Sequence, residues 1–217
     1  MRFEIISRNL PVLLAGLSVT IQIAIGATIL GILLGLVTAI FRMGPIRPLN
    51  WLATVYIEVI RNTPALVQVF IIYYGLANLG LRLPALTAMI VALGINNGAY
   101  LAEIFRGGLQ SVKRGQLEAA AALALPSRTT FLGVVLPQAI RSIWPALTNQ
   151  TIQIVLATSL AAIIGMPELV NQAMFLGSRN FRYGELLLAV TVMYAILTLT
   201  VSLLSRLIAH RLERAYR

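Results

Sequence analysis

The chain has 217 residues, of which 59% are hydrophobic and only 11% charged, with a formal charge of +10. A soluble domain would carry about a quarter charged residues, so this composition excludes a water-soluble globule and points to the bilayer. There is no cysteine, no aspartate and a single histidine, His210, which excludes a disulfide frame, a thiol nucleophile and a His-based metal site.

Five apolar runs follow in order, and an all-α integral membrane protein with about five transmembrane helices is expected, as one transmembrane domain over 1–217. The first run, roughly 13–41, exceeds the ~20 residues that cross a bilayer, so it tilts or begins in the interface. Its Gly31 and Gly35 have the small-xxx-small spacing that lets helices approach closely. Ahead of it, Met1 to Leu10 reads as an amphipathic segment lying along the outer surface. The other runs are roughly 52–79, 86–105, 140–164 and 186–208. With the N-terminus outside, eleven basic residues fall on the inner side against five outside, Arg61 lying within a span. The positive-inside rule therefore places the N-terminus outside and the C-terminus in the cytoplasm. The basic residues cluster at span ends without interleaved aromatics, so nucleic-acid binding is excluded.

Polar residues inside the runs are the candidates for function, because buried charge in a span is costly and faces a partner or a water-filled path. Glu58 and Arg61 are three apart and share a helix face; with Asn62, Thr63 and Gln68 they read either as path-lining groups or as an ion pair near the cytoplasmic end of the span. Pro64 is expected to kink that helix. In the third run Asn96, Tyr100 and Glu103 recur at helical spacing, with Asn97 beside them, and either contact substrate or bond between helices. Asn149, Gln150, Gln153, Thr158 and Ser159 mark the fourth run. Glu168 reads as a contact for a delivering protein or as a helix-start acid.

Between the third and fourth runs, roughly 106–137, lies a stretch too polar and too broken to span. Glu118 to Leu125 is rich in Ala and Leu, which are strong helix formers. Pro126 and Ser127 break that helix, Arg128 adds charge, and Leu136-Pro137 is expected to turn the chain back. No phosphate-binding loop is present: the sole lysine, Lys113, follows Val112.

Several blocks carry a family resemblance: Glu58 to Pro64 (EVIRNTP), AEIFRGG at Ala102–Gly108, GQLEAA at Gly115–Ala120, LPQAIR at Leu136–Arg141 and TSL at Thr158–Leu160. In this order they resemble the permeases of polar amino-acid ABC importers of the histidine, glutamine and glutamate type, with the EAA loop on Glu118, Ala119 and Ala120. The resemblance implies a bacterial inner-membrane permease subunit that forms half of a path for a polar amino acid. It implies no cofactor in this chain, ATP and Mg being held by two partner ATPases, and a soluble extracytoplasmic binding protein that delivers substrate. Gly115, Glu118, Ala119, Ala120, Leu123, Ala124, Pro126, Ser127 and Arg128 then form the cytoplasmic ATPase-coupling segment. Glu118 either pairs with the ATPase or caps its own helix. The path candidates are Glu58, Arg61, Asn62, Asn96, Tyr100, Asn149, Gln153, Thr158 and Ser159.

Two departures from the family pattern matter. The family's loop glycine falls on Ala124, which lacks glycine's backbone freedom. The family's Lys-Asp before TSL is replaced by Leu156-Ala157, so a second, non-identical permease subunit is expected to supply the missing polar groups. An ion-gradient carrier is the alternative, disfavoured because no inverted repeat and no midplane Asp or His is evident. A membrane enzyme lacks paired acids.

Overall fold

The computed structural model describes residues 4–214, with side chains through 211. Residues 1–3 and 215–217, and with them Arg2 and Arg217, lie outside the described part. All regular structure among the described residues is helical. We number it α1 (Glu4–Met43), α2 (Arg47–Arg61), α3 (Ala65–Asn78), α4 (Ala85–Gln110), α5 (Arg114–Ala122), α6 (Ser127–Ile164), α7 (Leu169–Asn180) and α8 (Tyr183–Arg214). Four of these, α1, α4, α6 and α8, are each long and apolar enough to cross a membrane, and α2 with α3 makes a fifth if the bent pair counts as one span.

The centre of the bundle is the α1–α4 seam. Glycines let two backbones meet there: an added Cβ at Gly31 would lie 2.5 Å from Asn97 Nδ2, and one at Gly35 would lie 2.8 Å from Leu101 Cβ. Both are far inside contact distance, so the close approach requires glycine. Around this seam Ile23, Val69, Met89, Leu93, Ile154 and Ala161 form one apolar core. Leu13, Leu169, Leu176, Leu186 and Val190 form a second, joining α1, α7 and α8. Outward faces carry exposed Ile and Leu, such as Ile25, Ile29, Leu33 and Leu199, as a lipid-facing surface requires.

The structure corrects some expectations and sharpens others. The N-terminal segment is not a separate surface helix: from Glu4 it is continuous with the first span, through Pro11. The kink expected at Pro64 is present as a full break, which divides the second span into two helices bent by 106°. The chain does not turn back at Leu136-Pro137. Pro137 lacks the N–H that would bond four residues back, and the turn before it widens into a π-helix, Phe131–Val135, with the Leu136 N–H bonding to the Phe131 carbonyl. The helix therefore passes through, α6 starts at Ser127 and α4 runs on to Gln110, so the segment between the long helices is shorter than 106–137. Finally, the connection after the fourth span contains α7. It is reached through a 3-10 turn, Thr158–Ile164, that ends on Gly165 at φ 74°.

Candidate functional site

The break in the second span gathers most of the polar candidates. Pro64 has no N–H, and the helix stops at Arg61, leaving carbonyls of α2 without helical partners. Gln68, one turn into α3, reaches back to fill them. Its Nε2 donates to the Ile60 carbonyl at 2.8 Å, to the Thr63 carbonyl at 3.2 Å and to Thr63 Oγ1 at 2.8 Å. Asn96 of α4 donates to Gln68 Oε1 at 3.0 Å. Gln68 is only 8% exposed, so these bonds form where an unmade one is costly. Tyr56 adds a second tie, donating to the Ile95 carbonyl at 2.6 Å. The bend is thus a polar clasp between α2, α3 and α4.

Glu58, Arg61, Asn62 and Thr63 lie exposed on the outside of this clasp. Of the two readings of Glu58 and Arg61, the ion pair is not formed. Asn62 donates to Glu58 Oε2 at 3.2 Å, and the Arg61 guanidinium lies over the Tyr100 ring, 5.2 Å from its centroid, a cation–π contact. Because Asn96 and Tyr100 occupy the middle of α4, the cluster sits at mid-length of that helix rather than near one end. Exposed charge at that depth demands a polar face opposite it.

The other candidates divide. Asn97 points away from the clasp: it is 1% exposed, donates to the Ala27 carbonyl at 3.5 Å and accepts from Gln150 at 3.0 Å, tying α1, α4 and α6 together. Glu103 pairs with Arg106 at 2.6 Å. Asn149, Gln153 and Leu156 share an exposed face of α6, and Ser159 is bonded to the Leu156 carbonyl at 2.7 Å. Thr158 is wholly buried, 3.2 Å from the Tyr194 hydroxyl.

Glu168 is wholly buried as well, so of its two readings the helix-start acid holds and the direct contact with a delivering protein does not. It caps α7, accepting from the Val170 and Asn171 amides at 2.9 and 2.8 Å, and it accepts from the Tyr194 hydroxyl at 3.2 Å. Burial pushes its carboxyl above the usual carboxylate range, against the lowering pull of those donors. Gln68 and Tyr194 carry more of the architecture than the sequence reading gave them; the signal for Gln68 was a buried-type amide four residues after a helix-breaking proline.

The segment between α4 and α6 is a short exposed hairpin. Gly115, Glu118 and Ala119 of α5 are exposed and Ala120 is 3% exposed. Glu118 does not cap the helix: it lies in the second turn and faces Arg114 at 3.7 Å, while Lys113 occupies the cap. The helix ends in a Schellman motif. The Leu125 N–H bonds the Ala120 carbonyl at 3.1 Å and the Ala124 N–H bonds Ala121 at 2.9 Å, which forces Ala124 to φ 50°. Leu123, Pro126, Ser127 and Arg128 follow on the exposed surface.

An all-helical bundle with a broken polar span and a short exposed helix between two long ones defines a membrane permease subunit. The family described as "Binding-protein-dependent transport system inner membrane component" matches residues 31–217, and the chain belongs to it. It is 39% identical to the probable amino-acid permease protein YxeN of Bacillus subtilis (strain 168), covering 99% of this chain and 97% of the relative. It is also 39% identical to the glutamine transport system permease protein GlnP of Escherichia coli (strain K12), with 94% of each covered. Among solved structures it resembles the crystal structure of an amino acid ABC transporter with histidines, with a TM-score of 0.91, 39% identity and 97% and 99% of the two chains covered. These likenesses support the ABC permease reading over the ion-gradient carrier.

Proposed function

We propose that this chain is the permease subunit of an ABC importer for a polar amino acid, set in a bacterial inner membrane with its N-terminus outside and its C-terminus in the cytoplasm. The observation that carries the reading is the exposed cluster of Glu58, Arg61, Asn62 and Thr63 at mid-length of α4, held open by the Gln68 clasp. A carboxylate, a guanidinium and an amide side by side offer partners for both charges of an amino acid. Each such subunit contributes half of the path, and a second, non-identical permease completes it, because Leu156 and Ala157 leave the α6 face without charge. α5 is the coupling helix: it seats in a groove of an ATPase and transmits closure to the spans. ATP and Mg belong to two such ATPases, hydrolysis is theirs, and a soluble protein outside delivers the substrate.

Co-purification in mild detergent, with partners identified by mass, tests the assembly. The expected recovery is an ATPase with a different permease. Recovery with the ATPase alone means a homodimer and removes the shared-path argument, and recovery with neither overturns the reading. In proteoliposomes loaded with ATP, Glu58→Gln and Arg61→Gln are each expected to lower uptake at least tenfold while leaving assembly intact; uptake at the parental rate from both would remove the cluster from the path.

A further inference from the structure

Away from the clasp, a cavity of about 330 Å³ opens between α1, α4, α6 and α8. It falls in the size range of clefts that hold small molecules, ~300–1,000 Å³. Its long walls are Trp144 to Thr151 on α6 and Val201 to Ile208 on α8, seven steps on each helix and so about 10 Å along the axis. Leu101, Leu147, Val201, Leu204 and Ile208 supply its apolar surface.

Apart from Thr28, the polar side chains in the wall are already engaged within the protein. Gln150 donates to Asn97, Trp144 Nε1 donates to the Ser205 carbonyl at 3.0 Å, Thr148 and Thr151 bond carbonyls one turn back at 3.0 and 2.9 Å, and Ser205 meets Thr148. No buried side-chain donor or acceptor among the described residues lacks a partner. A polar solute entering here would find little to bond, whereas a hydrocarbon chain needs nothing from these groups.

One end of the cavity is different in charge. On α6, Arg141, Trp144, Thr148 and Thr151 follow helical spacing along one face; on α8, Val201, Leu204, Ile208 and Arg211 do the same. The Trp144–Ser205 and Thr158–Tyr194 bonds show that the helices run in opposite directions, so helical spacing puts Arg141 and Arg211 each about one turn beyond the Trp144 end. Apolar walls, an indole at the rim and two arginines above it match the shape of an amphiphile with an anionic head.

We propose that this cavity is a binding site for an anionic phospholipid of the bilayer, with one acyl chain between α1, α4, α6 and α8 and the phosphate at Arg141 and Arg211. The site is separate from the clasp and does not depend on which solute is transported.

The test is native mass spectrometry of the assembled transporter, delipidated in detergent and then offered phosphatidylglycerol or phosphatidylcholine with the same acyl chains. Attraction of about one charge-lipid contact for each of the two arginines predicts retention of the anionic lipid about thirtyfold above the zwitterionic one. Arg211→Gln should reduce that preference severalfold without unfolding the chain, because Arg211 is exposed. Val201→Phe, which fills the cavity, should lower retention of both lipids while the remaining preference for the anionic head persists. Equal retention of the two lipids by the parent protein overturns the proposal. So does retention unchanged by both variants, and so does protection of the cavity by a second copy of this chain, read as a dimer whose interface crosslinks through Val201→Cys.

Discussion

Two prolines interrupt long helical runs, and the chain treats them in opposite ways. At Pro64 the helix stops, bends by 106° and is held by Gln68 and Asn96. At Pro137 the helix continues, because the preceding turn takes up an extra residue as a π-helix and the missing donor causes no break. The difference lies in what surrounds each proline. Pro64 is followed by a side chain long enough to bond the freed carbonyls and by a partner helix that fixes that side chain. Pro137 is buried within the helix packing, and the amide behind it, Gln138, bonds the Val134 carbonyl of its own helix at 3.0 Å instead of bridging to another one. A proline thus removes one bond, and the neighbouring donors decide whether the helix bends or bulges.

The largest test of that comparison is Gln68→Leu, which keeps the volume and removes the clasp. The Ile60 and Thr63 carbonyls and the Asn96 amide lose their partner in a buried site, at a cost of about 3 kcal/mol. Thermal unfolding of the purified complex should show a clear drop. An unchanged midpoint would mean that something other than Gln68 holds the bend.

Glu168 is a second polar joint, and Glu168→Ala is expected to cost about 2 kcal/mol, since two capping bonds and the Tyr194 bond vanish together. Its pH dependence has a definite sign. Burial raises the carboxyl in the folded chain, so its stabilisation is complete below the ordinary glutamate value and is lost as pH rises through the raised one. The stability gap between the parent and Glu168→Gln should therefore be widest in acid and shrink toward neutral pH. A gap that widens with rising pH would show that the amide and hydroxyl donors outweigh burial.

An all-helical bundle with four or five long apolar helices was legible because apolar runs of this length have one reading. So was a break near Pro64, and so was the helix over 118–122. What was not legible depended on distance in sequence. The Glu58–Arg61 spacing allowed a pair, yet Tyr100 of α4 draws the guanidinium instead. Asn96 and Asn97 looked like one stripe, but adjacent residues point about 100° apart on a helix. One joins the clasp and the other the α1–α6 seam. Leu136-Pro137 looked like a turn because periodicity carries no mark of a π-helix. Glu168 was legible as a helix-start acid, but its burial was not, because nothing in its neighbours announces Tyr194, 26 residues on.

Pro64→Ala sharpens the comparison from the other side. If the clasp, rather than the proline, holds the bend, restoring the N–H leaves the bend in place. The expected change is then only about 1 kcal/mol, from the greater freedom of the unfolded chain. Hydrogen exchange over α2 and α3 should keep its pattern. New protection continuous across 61–65 would show a straightened helix and assign the bend to Pro64 itself.

The smallest expected effect is at the exposed hairpin, where a different residue departs from helical form. Ala124 stands at φ 50° because the Schellman bonds to Ala120 and Ala121 demand it. A Cβ in that left-handed region costs about 1–2 kcal/mol, while glycine adds about 0.4–1 kcal/mol of unfolded-chain entropy. The balance predicts that Ala124→Gly stabilises by about 0.5–1 kcal/mol, read as a small rise in the unfolding midpoint. The strain at this position lies in the segment that we propose meets the ATPase, so the same variant should leave partner recovery unchanged: it alters the ease of the turn and none of the exposed side chains of α5. A fall in stability would mean that the alanine methyl makes a contact whose loss outweighs the relief of the backbone.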